Sequence, residues 1–262
     1  MIYDKIYDFC KVRNHGNCFK NGTEPTPRVK FLMNLLDEQQ IEYELDIFSG
    51  DEDSKRKPLM FVDNGVENKY FNIIMKGSSN KMIVAHHDVS NSSTDNANDN
   101  SASVINVIAT KKLRPELNAV LLDGEEVGGI GSNRVAQQIK LGDFGKIDWV
   151  LNYELTGKGG KYFFIGDYPG TLSDRIKGLF NCPVVRTPFN DSVIFRRHGI
   201  DSTVINPVPA LPKGKKSEVV FPDGTNLDIS ILYNCHSPKD TVSSISVSDM
   251  KEFVEEVILK IV

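Results

Sequence analysis

The stretch MIVAHHDVSNSSTDNANDNSASVINVIA, residues 82–109, sets an apolar run and a helix-like run on either side of two adjacent histidines and three aspartates, with no lysine or arginine among them. An apolar strand, a polar loop and a helix in that order make the repeating unit of an α/β protein. Upstream, the turn GSSN separates KMIVAHHD (81–88) from a second strand, KYFNIIMKG (69–77), and IEYELDIF (41–48) alternates Ile41, Tyr43, Leu45 and Ile47 as a strand with one wet face does. Two amphipathic helices open the chain. The first places Ile2, Tyr3, Ile6, Tyr7 and Cys10 at helical spacing; the second, TPRVKFLMNLLDEQQ, has Thr26 as N-cap and Pro27 at the first helical position.

Downstream the alternation continues: a helix near 101–112, strand NAVLLD, a helix near 132–141, strands DWVLNYEL and KYFFIGD, and helix LSDRIKGLF. Then come PVVRTP, a short helix after Asn190, and strand DSTVINPV. The closing helix carries Met250, Phe253, Val254, Val257, Ile258 and Ile261 on one face, and Trp149 is a core residue of its strand. This order predicts a three-layer α/β/α sandwich around a mixed, mostly parallel sheet, with residues 1–262 as one domain. The Lys/Pro/Gly-rich segment ALPKGKKSEVVFPDGTNLD interrupts the alternation; Lys213, Lys215 and Lys216 read as solvent-facing, on a lid or rim beside the site.

Lys and Arg total 31 against 35 Asp and Glu, a formal charge of −4, which gives no reason to expect nucleic acid or an anionic membrane as partner. The opening MIYDKIYDFCKVRNHG carries acids within its apolar positions, unlike a signal peptide, and no uncharged apolar run reaches the ~20 residues that cross a bilayer. The expectation is a cytoplasmic protein. Cys10, Cys18, Cys182 and Cys235 form no C-x-x-C pair and read as reduced thiols.

Ligand sites in α/β sheets lie beyond the carboxyl ends of the strands. Here those ends are charged: His86, His87 and Asp88 after KMIVA, Glu125 and Glu126 after NAVLLDG, Glu154 after DWVLNY, and His236 after ISILYNC, read as a further strand. Asp99 lies at the mouth of the next helix, where it could also act as N-cap. Carboxylates and imidazoles converging in this number on one edge repel and desolvate one another unless cations sit among them, so a divalent metal is the economical reading. Side chains alternate along an extended segment, so His86 and Asp88 face the same way and Asp88 can accept the second ring N–H of His86, while His87 faces away in a structural role. Asp240 reads as a capping or orienting group, and His15 and His198 as surface residues.

In order and context, HHD, NDNSAS, LLDGEEVGGIGS, NYELTG, NDSVIF and YNCHSPKDT, between about residues 82 and 242, resemble the co-catalytic di-zinc exopeptidases of the leucyl-aminopeptidase-like, glutaminyl-cyclase-containing family. The resemblance implies two Zn2+ bridged by Asp99, with His86 and Glu154 completing one site and Glu126 and His236 the other. Co2+ or Mn2+ suits the same donors. It further implies Glu125 as general acid/base acting on a hydroxide shared by the ions, Asp88 as a catalytic-site residue, and a twisted or cis Asp99–Asn100 peptide.

The sequence departs from the family pattern at three points. Glu154 stands where the aminopeptidases usually carry Asp, as in related carboxypeptidases and deacylases. Asn190-Asp191-Ser192 replaces an element often followed by tyrosine or histidine, leaving Asn190 and Asp191 as substrate-binding candidates. His87 replaces a common aromatic. Only 82 residues separate Glu154 from His236, too few for the inserted domain of the carboxypeptidases, and the cyclase branch lacks the first-site histidine. The expected activity is therefore aminopeptidase action on short peptides. The alternatives are a carboxypeptidase- or deacylase-type amidohydrolase, a glutaminyl-cyclase-like enzyme, or a non-catalytic zinc-binding interaction domain.

Overall fold

The structure, a computed structural model, describes residues 2–12, 25–49, 69–90 and 92–262. His15 and Cys18 lie outside the described residues. A 3-10 turn (Ile2–Lys5) leads into α1 (Ile6–Lys11), and α2 (Pro27–Gln39) starts as its sequence requires, with the Thr26 hydroxyl accepting from Val29 N. Then follow β1 (Glu44–Ser49), β2 (Lys69–Met75), β3 (Lys81–His86), α3 (Ala102–Leu113), β4 (Asn118–Leu122), α4 (Ile130–Leu141), β5 (Trp149–Tyr153), β6 (Phe163–Gly166) and α5 (Thr171–Phe180). β7 (Val184–Val185), α6 (Asp191–Arg197) and β8 (Ser202–Pro207) complete the sheet region. The chain closes on α7 (Val247–Glu252), a wide π-turn (Phe253–Ile258) and α8 (Leu259–Ile261).

The eight strands form one sheet in the order β1-β2-β4-β3-β5-β8-β6-β7. Four of the seven pairings are parallel, so the sheet is mixed and mostly parallel, as the alternation predicts. Period-two alternation splits the strands between two cores. Ile83 and Ala85 face α1, α2, α3 and the closing helix, whereas Met82 and Val84 face Val135 and Ala136 of α4 and Phe195 of α6. The six apolar residues expected on one face of the closing helix are all buried, as is Trp149.

Register sets the site. In the parallel pair β3/β4, His86 lies opposite Leu122, next to the turn that carries Glu125 and Glu126. In β3/β5, Val84 lies opposite Asn152, which brings Glu154 level with His86.

Three readings are corrected. Residues 229–236 form no strand: the Asp228 carboxylate accepts from Ser230 N and starts a 3-10 helix, Ile229–Asn234, beyond the sheet edge. Ile231 is buried and Leu232 packs beside it in a separate apolar cluster with Phe164, Val208 and Leu227. That cluster pins the 210–228 segment down, with Phe221 edge-on to Tyr162 at 5.4 Å, while Lys213, Lys215 and Lys216 stay exposed. His198 is half-buried at the end of α6, its Nε2 2.8 Å from Asn133 Oδ1. Asp99 does not cap α3, whose N-cap position is Ser101. Among the described residues no helix is long and apolar enough to cross a membrane.

Gly131 opens α4 against the back of this edge. A Cβ there would lie 2.3 Å from Asp123 O and 2.5 Å from Asn72 Oδ1, both atoms fixed by their own hydrogen bonds. Gly131→Ala is expected to lower stability by about 1–3 kcal/mol, the range for overpacking, in chemical denaturation; an unchanged midpoint would contradict it.

Candidate metal centre

Two three-residue clusters meet at Asp99: His86, Asp99 and Glu154, and Asp99, Glu126 and His236. His86 Nε2 lies 3.2 Å from Asp99 Oδ1 and 3.3 Å from Glu154 Oε1. His236 Nε2 lies 3.3 Å from Asp99 Oδ2 and 2.8 Å from Glu126 Oε2. Asp99 thus turns one oxygen to each imidazole. The five expected ligands come together, and Glu125 stands half-buried beside Glu126.

Asp88 holds this arrangement from beneath. Its Oδ1 is 3.2 Å from His86 Nδ1, and its two oxygens accept from Glu125 N at 3.2 Å and Glu126 N at 3.0 Å. One carboxylate therefore fixes the ring of one candidate ligand and the turn that presents another, while Gly124 (φ 77°) lets the chain leave β4 sharply. His87 points the opposite way, fully buried, its Nε2 2.8 Å from Phe71 O, and burial pushes its pKa down to about 4.

The Asp99 turn is anchored by groups the sequence reading did not assign. Asn98 Oδ1 accepts from Gly157 N, and Asn100 donates to Tyr153 O and accepts from Leu155 N, tying both flanks of Asp99 to the segment around Glu154. Asp240, read as an orienting group, accepts from Asn98 N at 2.8 Å and Asp99 N at 3.2 Å. The only sequence signal for the two asparagines is their place on either side of an aspartate, which many loops share. The Asp99–Asn100 peptide is cis.

The substrate-binding candidates part company. Asn190 caps α6: its Oδ1 accepts from Ser192 N and its Nδ2 donates to Pro188 O, so its amide is committed locally. Asp191 is fully buried within the electrostatic reach of His86, Glu154 and Asp88, and burial pushes its pKa up to about 7.

The electrostatics fit a cation. Burial raises Glu125 well above the usual carboxylate range, raises Glu154, and pushes Glu126 up to about 7. Contacts with Asp99 and Glu126 push His236 up to about 10. Burial disfavours charge on His86, yet Glu154, Asp88 and Asp99 around it raise its pKa well above the ordinary value. Burial likewise opposes charge on Asp99, but His236 and His86 hold it well below the usual range. The cluster thus retains protons to balance its own acids, and Glu126 Oε1 is buried without a hydrogen-bond partner. Hard carboxylate oxygens and imidazole nitrogens grouped in threes around a shared aspartate are a donor set for borderline divalent ions such as Zn2+.

Fold and donor set together define the class: an α/β/α sandwich carrying adjoining carboxylate–imidazole clusters at its strand ends. The chain belongs to Peptidase family M28, whose model matches residues 72–261. No curated protein matches the sequence. Among solved structures, glutaminyl cyclase from an Acidobacteriales bacterium superposes with a TM-score of 0.69 at 15% identity, over 99% of this chain and 92% of that one. The LapA aminopeptidase of Legionella pneumophila gives 0.64 at 13%, over 99% and 70%. BSAP, a zinc aminopeptidase from Bacillus subtilis, gives 0.56 at 14%, over 76% of this chain; the chain spans only 50% of that protein's length. At these identities the likeness is one of fold.

Replacing Asp240 removes both acceptors that hold the backbone of the Asp99 turn. Asp240→Ala is expected to weaken Zn2+ binding about 10–100-fold, the usual effect of losing an outer support of a metal site. Competition with a chromophoric chelator measures it, and wild-type affinity would count against this role.

Proposed function

We propose that the chain is a zinc-dependent aminopeptidase that hydrolyses the N-terminal peptide bond of short peptides. The observation that carries the reading is Asp99, with one oxygen on the His86/Glu154 side and the other on the Glu126/His236 side. Those five residues would hold two divalent ions, which when bound supply Lewis acidity toward a carbonyl and make water a nucleophile near neutral pH.

The chain's own part is proton traffic and positioning. Glu126 faces His236, and Glu125 is left beside it. As a carboxylate, which burial makes more basic, Glu125 would accept a proton from water, and as the acid so formed it would deliver that proton to the leaving amine. Asp88 keeps this division of labour by gripping the backbone N–H of both glutamates. Asp191, buried within electrostatic reach of the same groups, would when ionised favour a substrate that brings an ammonium group. The free thiols of Cys10, Cys182 and Cys235 agree with the cytoplasm as the compartment.

A second reading, glutaminyl-cyclase-like chemistry, is favoured by the superposition, which has a TM-score of 0.69 over 99% of this chain for the Acidobacteriales cyclase against 0.56 over 76% for the Bacillus aminopeptidase. A deacylase is favoured by the longer Glu154. Peptides with free, blocked and glutaminyl amino termini separate the three, with bound metal counted in parallel. Cleavage of free-amine peptides alone, with two ions per chain, supports the proposal. Cleavage of blocked peptides points to a deacylase, and ring closure with release of ammonia points to a cyclase.

Glu125→Gln is expected to keep Zn2+ affinity within a few-fold of wild type and to lose about 10²–10⁴ in kcat, the range for removing a general acid/base. Retained turnover would remove Glu125 from the mechanism and leave a structural metal site as the better reading. Chelation of the metal should abolish turnover in wild type and re-addition restore it.

A further inference from the structure

Arg28 is the second residue of α2, outside the stretch that the family model matches, and none of its surface is exposed. Its guanidinium reaches three separate pieces of the chain. Nε donates to the carbonyl of His87, the residue between His86 and Asp88. Nη2 donates to Ser101 Oγ at 2.7 Å, two residues past Asp99. Nη1 donates to Phe9 O at 3.2 Å, which also accepts from Val12 N, and to Val12 O at 3.1 Å, and the group lies 3.8 Å above the Phe9 ring.

A guanidinium is a rigid planar fork with five N–H donors, so acceptors on different edges are held at fixed mutual positions; a lysine ammonium on a flexible stem cannot do this. Two of those edges face the chain next to candidate ligands: the end of β3, which presents His86, and the turn that presents Asp99. The third ties both to α1. We infer that Arg28 is a positioning residue for the metal centre, fixing the end of β3 relative to the Asp99 turn and making the two N-terminal helices part of the site's support. This inference rests on the metal-centre reading proposed above.

The test uses the full-length protein and the variants Arg28→Met and Arg28→Lys. Leu32→Ala, a buried core change on the same helix with no part in the site, serves as the control for helix destabilisation. Zn2+ affinity by chelator competition, kcat and KM on a free-amine peptide, and thermal unfolding are measured for each. Arg28→Met is expected to weaken Zn2+ binding about 10–100-fold, Arg28→Lys to recover part of that loss, and Leu32→Ala to unfold at lower temperature with Zn2+ affinity within twofold of wild type. Should Arg28→Met not fold, Arg28→Lys decides: it keeps the charge and loses the fork, so about a tenfold loss of affinity supports the inference and wild-type affinity overturns it. An equal loss of affinity in Leu32→Ala also overturns it, because general destabilisation then explains the effect. Wild-type protein that takes up no Zn2+ overturns the metal-centre reading itself and this inference with it; normal uptake with unaffected Arg28 variants overturns only this inference.

Discussion

Negative charge buried at the carboxyl edge of the sheet is the constraint around which the rest of this structure is arranged. Asp88, Asp99, Glu126 and Glu154 crowd two imidazoles, with Glu125 and Asp191 within electrostatic reach. Removing an ion from water costs several kcal/mol even after relaxation, so such a group persists only if protons or other cations offset it. The raised pKa values of Glu126 and His236 are the proton solution. A divalent ion is the other. The two compete, so metal uptake by the proposed site would release protons and add its free energy to that of folding.

The clusters are built unequally. His86, Glu126 and Glu154 follow directly from three neighbouring strands, where parallel register fixes their mutual level, and their side chains are largely buried. His236 arrives from outside the sheet, on a turn seated on its own small apolar cluster, and its side chain is 56% exposed. Rigid strand ends place ligands more closely than loops do. The second cluster therefore depends on a segment anchored through Leu227 and Ile231 in a small cluster of its own, which Phe221 joins to the main core at Phe163.

Much of this was legible in the sequence because period and punctuation agree with the tertiary environment. Strand β3 alternates correctly, Thr26 caps the helix it precedes, a short helix follows Asn190, and the charged strand ends converge. Residues 229–236 misled because a short apolar run fits a strand or a helical turn equally well, and periodicity alone does not separate them. The supports of Asp99 were hidden for another reason. Asn98 and Asn100 act through backbone groups 53 to 59 residues away, and Arg28 through His87 O and the Ser101 hydroxyl, 59 and 73 residues away; one sequence carries no sign of such pairings.

Backbone conformation shows what the site costs the fold. His236 (φ 52°) and Leu155 (φ 55°), the latter next to Glu154, occupy the left-handed region that suits glycine, at about 1–2 kcal/mol each for an ordinary residue. Glycine cannot serve at 236, where the imidazole is required. At 155 the side chain is buried in the core, and the N–H of the same residue donates to Asn100 Oδ1, so the unfavourable φ is the condition for bringing Glu154 beside Asp99. Local strain of this kind survives only where surrounding contacts over-determine it. The convergence of Asn98, Asn100, Asp240 and Arg28 on one short turn follows from that: the chain is least relaxed where its charges must meet, and its polar side chains are spent there.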